Sequence, residues 1–469
     1  MLKIMPCLEC LSQIFPKQLV RLLGIVSQAM LCCNGRITML GLSRWSSKGG
    51  SYRSIQRLYG STVNWLQLNW LFFKANRLKK EEVYLLAGDE TTVTKSGNST
   101  HGLGRFFSST HGRAVKGLNF LSLCLVGVSS GQAVPLLMEQ MEGDMKKETQ
   151  VKKEPVKEEA KGKKETQVKK EPAKGEAKGK KETQVKKETG VKGRPKGSKN
   201  KNRSEPELTP YLKWMKEHIQ LALNMIGQQI SIAYYVYDGA FGNNPCLQMV
   251  LSCGLHMISK LQCNSALWFP YDGEYGGRGP HRKYGEKVDY KNLPEKYLKS
   301  KTVENGVEER IYQIQVWHKD FPELLNVTII QRIHLKDGKS GHVVLFSDDL
   351  TLSYDKMILY YRLRFQIEFT FRDAKQYWGL EDFMNIKTTQ VKNAANISMF
   401  MVNVSRFLTE QNVANTEPSI LDIKTRSQTA FYLDLILKNH PEILGSISLE
   451  ELQMNLADVG CIHPQKKAA

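Results

Sequence analysis

Residues 359–383 read LYYRLRFQIEFTFRDAKQYWGLEDF and carry the most informative pattern in the chain. If residues 353–377 form one helix at about 100° per residue, four chemically distinct polar side chains fall within an arc of about 60°. These four are Tyr361, Arg364, Glu368 and Lys375. The adjoining arc holds Leu363, Ile367, Phe371, Ala374 and Trp378. This apolar arc predicts the face that packs on the core, and it places Glu368 at the margin of that buried face.

A polar stripe on a helix has an ordinary interpretation, because the outer face of a surface helix usually carries mixed charges. A carboxylate at a buried margin, however, is costly unless a metal ion or another cation lies beside it. The guanidinium of Arg364 and the amine of Lys375 are both suited to phosphate groups. The stripe therefore favours chemistry on a phosphate-containing partner.

Two aspartates follow apolar segments at other places in the chain. Asp89 comes after EVYLLA at residues 82–87, and Asp238 comes after SIAYYVY at residues 231–237. Either one alone could begin a turn or cap a helix. Phosphodiester chemistry with two divalent ions about 4 Å apart needs a few carboxylates that meet in space. Asp89, Asp238 and Glu368 are the candidates for that role.

A tandem repeat interrupts the chain between these two aspartates. The 17-residue block KKETQVKKEPVKEEAKG at residues 146–162 recurs nearly verbatim, and a third copy is truncated. Because the repeat has no apolar face that could stack, residues 146–207 are predicted to be a disordered basic tether. Its far end, GRPKGSKNKNR at residues 193–203, resembles an AT-hook. A plain solvated linker is the alternative.

The net charge indicates the class of partner. The 469 residues carry +20, of which residues 146–203 contribute +13 (22 basic minus 9 acidic), so the rest of the chain is only mildly basic. Such a surplus favours a polyanion, nucleic acid before an anionic membrane. No uncharged apolar stretch reaches the ~18 residues of a membrane span. We therefore expect no membrane partner and a cytoplasmic, nucleoid-associated protein if the source is bacterial.

The order of predicted elements indicates the fold class. Strands are expected at residues 82–87, 117–128, 133–138, 231–237, 256–261, 310–317, 326–335 and 342–346, with helices at 208–226 and 244–252. This order predicts an α/β fold, a ribonuclease H-like mixed sheet flanked by helices, in two parts over residues 81–145 and 208–263. The remaining segments are a helical N-terminal region at 1–80 that binds DNA ends, a β-rich insertion at 264–347, a catalytic helix at 348–380 and a helical C-terminal region at 381–469.

The spacing Tyr361-x2-Arg364-x3-Glu368-x6-Lys375 resembles the Tyr-Arg-Glu-Lys signature of the DDE transposases of insertion-sequence family four. GDET at residues 88–91, YVYDGAFGN at 235–243 and HVVLFSDDL at 342–350 are similar to that family as well, and the resemblance covers about residues 45–405. It implies that Asp89, Asp238 and Glu368 bind two Mg²⁺ ions, with Mn²⁺ possible. It also implies that Tyr361, Arg364 and Lys375 contact transposon-end DNA.

The same resemblance implies cut-and-paste transposition, in which a homodimer on double-stranded DNA cuts the terminal inverted repeats and a 3′-OH attacks target DNA. Two other functions stay open. One is a catalytically inactive, transposase-derived DNA-binding protein, against which the three carboxylates argue. The other is a basic ribosome- or RNA-associated protein, but no aromatic signature of the RNP type is present. A basic, glycine-rich loop at residues 276–287 is suited to following a DNA backbone.

Overall fold

The computed structural model describes residues 4–46, 49–108, 111–142, 203–275, 277, 279–411 and 418–440, together with residues 448, 452, 456, 459 and 461. The predicted tether at 146–207 lies outside the described residues as far as residue 202, and so does most of its AT-hook-like end at 193–203. Among the described residues, no helix is long and apolar enough to cross a membrane.

Five helices form the N-terminal region. They are α1 (Ile4–Leu8), α2 (Lys17–Cys32), α3 (Met39–Arg44), α4 (Tyr52–Gly60) and α5 (Trp65–Asn76). Side chains fix where α4 and α5 begin, since Ser51 accepts a hydrogen bond from the Ser54 amide and Asn64 accepts one from the Gln67 amide. All five helices lie within the region 1–80 that the sequence predicted to be helical.

The centre of the molecule is one mixed sheet of twelve strands in the described part of the chain. The strands are β1 (Tyr84–Thr94), β2 (Gly104–Ser108), β3 (Arg113–Gly127), β4 (Ala133–Met141), β5 (Tyr234–Val236), β6 (His256–Leu261), β7 (Leu267–Pro270), β8 (Tyr284–Lys287), β9 (Leu298–Glu304), β10 (Val307–His318), β11 (Leu324–His334) and β12 (Ser340–Ser347). Their order is β2-β3-β1-β5-β6-β12-β11-β10-β7-β8, with β4 beside β3 and β9 beside β10. The protein is thus mixed α/β, with a large mixed sheet flanked by helices.

The strands of the predicted β-rich stretch at 264–347 continue this sheet directly. Strand β12 pairs antiparallel with β6, from Val344 opposite Leu261 to Ser347 opposite Ile258. The sequence predicted β10, β11 and β12 but not β2, β7, β8 and β9, most of which are short and alternate little between buried and exposed positions. It also gave no indication that these strands would join the central sheet edge to edge.

Helices cover both faces of the sheet. They are α6 (Pro210–Ile226), α7 (Asn244–Leu251), α8 (Tyr354–Leu363), α9 (Gln366–Tyr377), α10 (Thr388–Gln411) and α11 (Ile420–Asn439). Helices α5, α9 and α10 pack on β4, and α9 also packs on β1. Asn396 of α10 accepts a hydrogen bond from the Met138 amide and donates one to the Met138 carbonyl, so it satisfies backbone groups of the outer strand β4 that have no strand neighbour.

The prediction of one continuous helix over residues 353–377 is wrong. Helix α8 ends at Leu363 and α9 begins at Gln366. Between them the amides of Phe365, Ile367 and Glu368 donate to carbonyls three residues earlier, as in a 3₁₀ turn, in place of the four-residue spacing of an α-helix. The apolar face is confirmed, since Leu363, Ile367, Phe371, Ala374 and Trp378 are all buried.

Candidate active site

Asp89 and Asp238 meet at one position of the sheet. Strands β1 and β5 are parallel, with Leu86 opposite Tyr235 and Ala87 opposite Val236. The same register, continued along both chains, brings Asp89 opposite Asp238, and neighbouring strands lie about 4.8 Å apart. Because side chains alternate along a strand, both carboxylates leave the sheet on the face that Ala87 and Val236 share.

On the opposite face of β1 and β5, two tyrosine rings of the β5 segment pack closely over a glycine of β1. The rings of Tyr235 and Tyr237 stack with centroids 5.5 Å apart. A β-carbon at Gly88 would lie 2.2 Å from the Tyr235 hydroxyl and 2.5 Å from the Tyr237 ring, so only glycine fits beneath them. The next side chain on this face, Glu90, accepts a hydrogen bond of 2.6 Å from the Tyr211 hydroxyl of α6. The sequence did not single out these residues, although a glycine inside a strand is itself a sign of close approach.

Asp238 lies at the start of a tight turn. Its side chain accepts a 2.6 Å hydrogen bond from the Gly239 amide and caps the short 3₁₀ helix Gly239–Phe241. Its carbonyl accepts a hydrogen bond from the Ser259 hydroxyl of β6. A β-carbon at Gly242 would lie 2.1 Å from the Lys260 carbonyl oxygen, so this glycine lets the turn pass close to β6. The backbone around Asp238 is therefore held by the neighbouring strand.

Arg364 joins Asp89 to Glu368. One terminal guanidinium nitrogen lies 2.7 Å from Asp89 Oδ2, and the other lies 3.2 Å from Glu368 Oε1. The side chains of Arg364 and Asp89 are 12% and 19% exposed, whereas that of Glu368 is 44% exposed. The expectation that Glu368 lies at a buried margin is therefore wrong. Arg364 takes the inner position against β1, and Glu368 points outward from it.

The electrostatics of Asp89 reflect this crowding. Burial raises the pKa of its carboxyl from 3.8 to about 6, and the negative charges of Asp238 and Glu368 act in the same direction. The Arg364 guanidinium and the Glu90 amide oppose the rise in this pKa. Burial also raises the pKa of Tyr361, whose surroundings include Arg364, Asp238 and Asp89. The three carboxylates thus act electrostatically on one another, on the Arg364 guanidinium and on the Tyr361 hydroxyl, close to the point where β5 ends beside β1.

The two other residues of the predicted stripe lie on either side of Arg364. The Lys375 amine donates a 2.9 Å hydrogen bond to the Thr92 carbonyl of β1 and lies 3.3 Å from Glu381. Tyr361 borders a groove of about 680 Å³ between α8 and strands β10, β11 and β12. The Lys375 amine is thus engaged with β1 and Glu381, and the Tyr361 ring lies at the border of this groove.

A divalent ion is compatible with the donor atoms of this site. Hard cations such as Mg²⁺ prefer carboxylate oxygens, and the candidate donors here are the carboxylates of Asp89, Asp238 and Glu368. Within the described ranges, however, no three acidic, histidine or cysteine side chains are already grouped as metal ligands. Arg364 lies between Asp89 and Glu368. The donor atoms are thus of the type that such an ion prefers, but the guanidinium occupies oxygens of two of the three candidates.

Comparisons with known proteins identify a family for this chain. A family model described as DDE superfamily endonuclease matches residues 10–320, well over half of the chain. The match includes Asp89 and Asp238 and ends before α8 and α9. A search of curated proteins finds no match. Among solved structures, the cryo-EM structure of a piggyBac transposase synaptic complex with hairpin DNA is similar at a TM-score of 0.36 and 10% identity, covering 95% of this chain and 76% of that one.

Proposed function

The chain belongs to the DDE superfamily endonuclease family, and from that premise we propose that it is a DNA transposase. In this proposal it cuts the ends of a mobile DNA element and joins them to new sites by attack of a 3′-OH on phosphodiesters. The observation that carries the proposal is the meeting of Asp89 and Asp238 on adjacent parallel strands, with Glu368 linked to Asp89 through one arginine.

We further propose that the core is ribonuclease H-like. Strands β4, β3, β1, β5 and β6 follow one another across the sheet. Strand β3 is antiparallel to both of its neighbours β4 and β1, and β5 and β6 run parallel to β1. Asp238 follows the carboxyl end of β5, and Asp89 lies beside it within β1, five residues before that longer strand ends. The point where a parallel strand ends against its neighbour is a natural place for catalytic acids.

Asp89, Asp238 and Glu368 would hold two divalent ions, Mg²⁺ or Mn²⁺. Bound there, such ions supply activation of the attacking oxygen and stabilisation of the leaving oxygen. Because Asp89 is largely buried, its charge interactions are screened by water less than those of an exposed carboxylate. In this proposal Arg364 and Lys375 bind phosphate oxygens, the first as a fork and the second as a point charge. Tyr361 orients the strand beside them.

Within the DDE superfamily, we propose that the chain is a member of insertion-sequence family four, which has a Tyr-Arg-Glu-Lys signature. Its support is the spacing of Tyr361, Arg364, Glu368 and Lys375 and the approach of Arg364 and Lys375 to strand β1. We propose terminal inverted repeats and target DNA as the substrates, and a homodimer that pairs two ends. Cut-and-paste transposition is the reaction that follows from this assignment.

Substitution Glu368→Gln tests the function directly. This isosteric change removes one negative charge at a half-exposed position, so we expect the fold and binding to terminal-repeat DNA to survive. Metal-dependent nicking of that DNA should fall by at least about a thousandfold, the order of loss for a group that acts on the transition state. The matched control is Glu217→Gln, an exposed glutamate of α6 on the opposite face of the sheet. Nicking at the wild-type rate by Glu368→Gln would refute the proposal.

A further inference from the structure

One guanidinium neutralises two of the three candidate metal ligands. The two terminal nitrogens of Arg364 contact Asp89 and Glu368 separately, at 2.7 Å and 3.2 Å. A forked guanidinium is well suited to bridging two carboxylates in this way. The oxygens that it occupies, Asp89 Oδ2 and Glu368 Oε1, are oxygens that a divalent ion would need.

The arginine is only partly satisfied in this position. Its Nε is buried and has no hydrogen-bond partner within the described residues. A buried donor without a partner costs free energy that another position of the side chain could recover. Arg364 also occupies the 3₁₀ turn between α8 and α9, so its backbone is at a junction between two helices. The contacts that hold it inward are chiefly the two carboxylates.

Charge explains why some cation is needed there. Asp89 is largely buried beside Asp238 and Glu368, and buried like charges are unfavourable without compensation. Arg364 supplies one positive charge from within the chain. A divalent ion at the same oxygens would supply two, and it would then repel the guanidinium beside it. The two cations therefore compete for one set of oxygens.

We propose that Arg364 is an exchangeable counter-ion of this site. It holds Asp89 and Glu368 together while no metal is bound, and divalent metal displaces it outward, where its guanidinium becomes free to bind a DNA phosphate. Metal binding and DNA binding are thereby coupled through the side chain of Arg364. This inference rests on the proposed function, because it takes Asp89 and Glu368 as metal ligands.

Metal affinity distinguishes a competitor from a supporting residue. Mn²⁺ is titrated calorimetrically into the full chain without DNA, and Arg364→Gln should bind it about tenfold more tightly than wild type, since one charged hydrogen-bonding competitor is gone. Arg362→Gln is the charge-matched control, because this exposed arginine on α8 loses the same charge at a distance from Asp89. Equal or weaker binding by Arg364→Gln would overturn the inference. If that variant does not fold, Arg364→Lys decides, because a lysine cannot bridge both carboxylates and should also tighten binding.

Displacement of Arg364 by metal is measured on the wild-type protein. Phenylglyoxal reacts with accessible guanidinium groups, and mass spectrometry reports its rate at each arginine. Ca²⁺ should speed modification of Arg364 several-fold and leave the already exposed Arg362 unchanged. Unchanged or slower modification of Arg364 also overturns the exchange.

A Mn²⁺ titration of Asp89→Asn distinguishes failure of the proposed metal site from failure of the proposed exchange of Arg364. If Asp89→Asn binds Mn²⁺ as wild type does, the proposed metal site fails and the exchange fails with it. If Asp89→Asn loses binding while Arg364→Gln gains none, the metal site stands and only the exchange is refuted.

Discussion

Replacement of Asp89 by asparagine should stabilise the metal-free protein while it abolishes nicking. The asparagine keeps the shape of the side chain and can still accept a hydrogen bond from Arg364, which retains Glu368 as its other contact. What disappears is a largely buried negative charge next to Asp238 and Glu368. The carboxylate that the reaction needs is thus one that the fold tolerates poorly.

The magnitude follows from the pKa of Asp89. This pKa is raised from 3.8 to about 6, chiefly by burial. The folded protein therefore holds the proton more tightly than the unfolded chain, and the wild type loses stability as the pH rises from about 4 to about 6. At pH 7.5 the ionised carboxyl costs up to about 3 kcal/mol of unfolding free energy. Asp89→Asn should recover about 1–3 kcal/mol of this, because the amide pairs less strongly with Arg364.

Urea unfolding in the presence of a chelator, followed by circular dichroism at several pH values, measures this difference. The variant should exceed the wild type at pH 7.5, and the gap should close as the pH falls to 4. Glu217→Gln, an exposed carboxylate replaced in the same way, should show no such gap. A variant that is less stable than wild type at pH 7.5, or a gap that does not change with pH, would refute the reasoning.

Two substitutions away from the carboxylates test the packing that supports them. Gly88→Ala should destabilise the protein by about 1–3 kcal/mol through overpacking against Tyr235, and thermal unfolding measures this loss. Gly97→Ala is the control, because a β-carbon there meets nothing within 4 Å, and it should leave the stability unchanged. Asn396→Leu should cost about 2–4 kcal/mol, because it leaves both backbone groups of Met138 unpaired in the interior. Ser398→Ala, which removes only a bond to the same helix, should shift the urea midpoint little, and equal losses for both variants would contradict the role given to Asn396.

Local patterns predicted the core strands because each one is a buried, branched or aromatic run between turn residues. Strand β6 was predicted with its observed bounds, and β4 was predicted from its first residue to within three residues of its end. Helix α6 has the periodicity of a half-buried helix and was predicted at 208–226; it begins two residues later, at Pro210, and ends at Ile226 as predicted. These elements depend on their own residues, so the sequence contains what is needed to identify them.

Contacts between distant segments could not be predicted in this way. The register that brings Asp238 opposite Asp89 depends on β5, which is only three residues long and pairs across 149 positions of sequence. The break between α8 and α9 interrupts a pattern that is continuous in sequence, because the 3₁₀ turn leaves every residue in a helical conformation. The pairing of Arg364 with Asp89 is likewise invisible to a helical projection, which treats each helix alone.

The position of Glu368 follows from how the end of β12 is fixed. Asp348 accepts hydrogen bonds from the Met257 amide and contacts His256 at 2.6 Å, and Asp349 accepts one from the Tyr234 hydroxyl. The turn after β12 is thus tied to the beginnings of β5 and β6, at the end of the sheet away from Asp238.

Helix α8 then runs back along the sheet. Its ten residues span about 15 Å at 1.5 Å per residue. The four residue-to-residue steps from Tyr234 to Asp238 span about 13 Å in an extended strand. Because the two lengths match, Arg364 arrives where β5 ends, and the first turn of α9 brings Glu368 beside it. A helix two turns longer would carry both past the aspartates. The strands between β6 and α8 therefore do more than extend the sheet. They fix where α8 begins, and the length of α8 then determines where Glu368 lies.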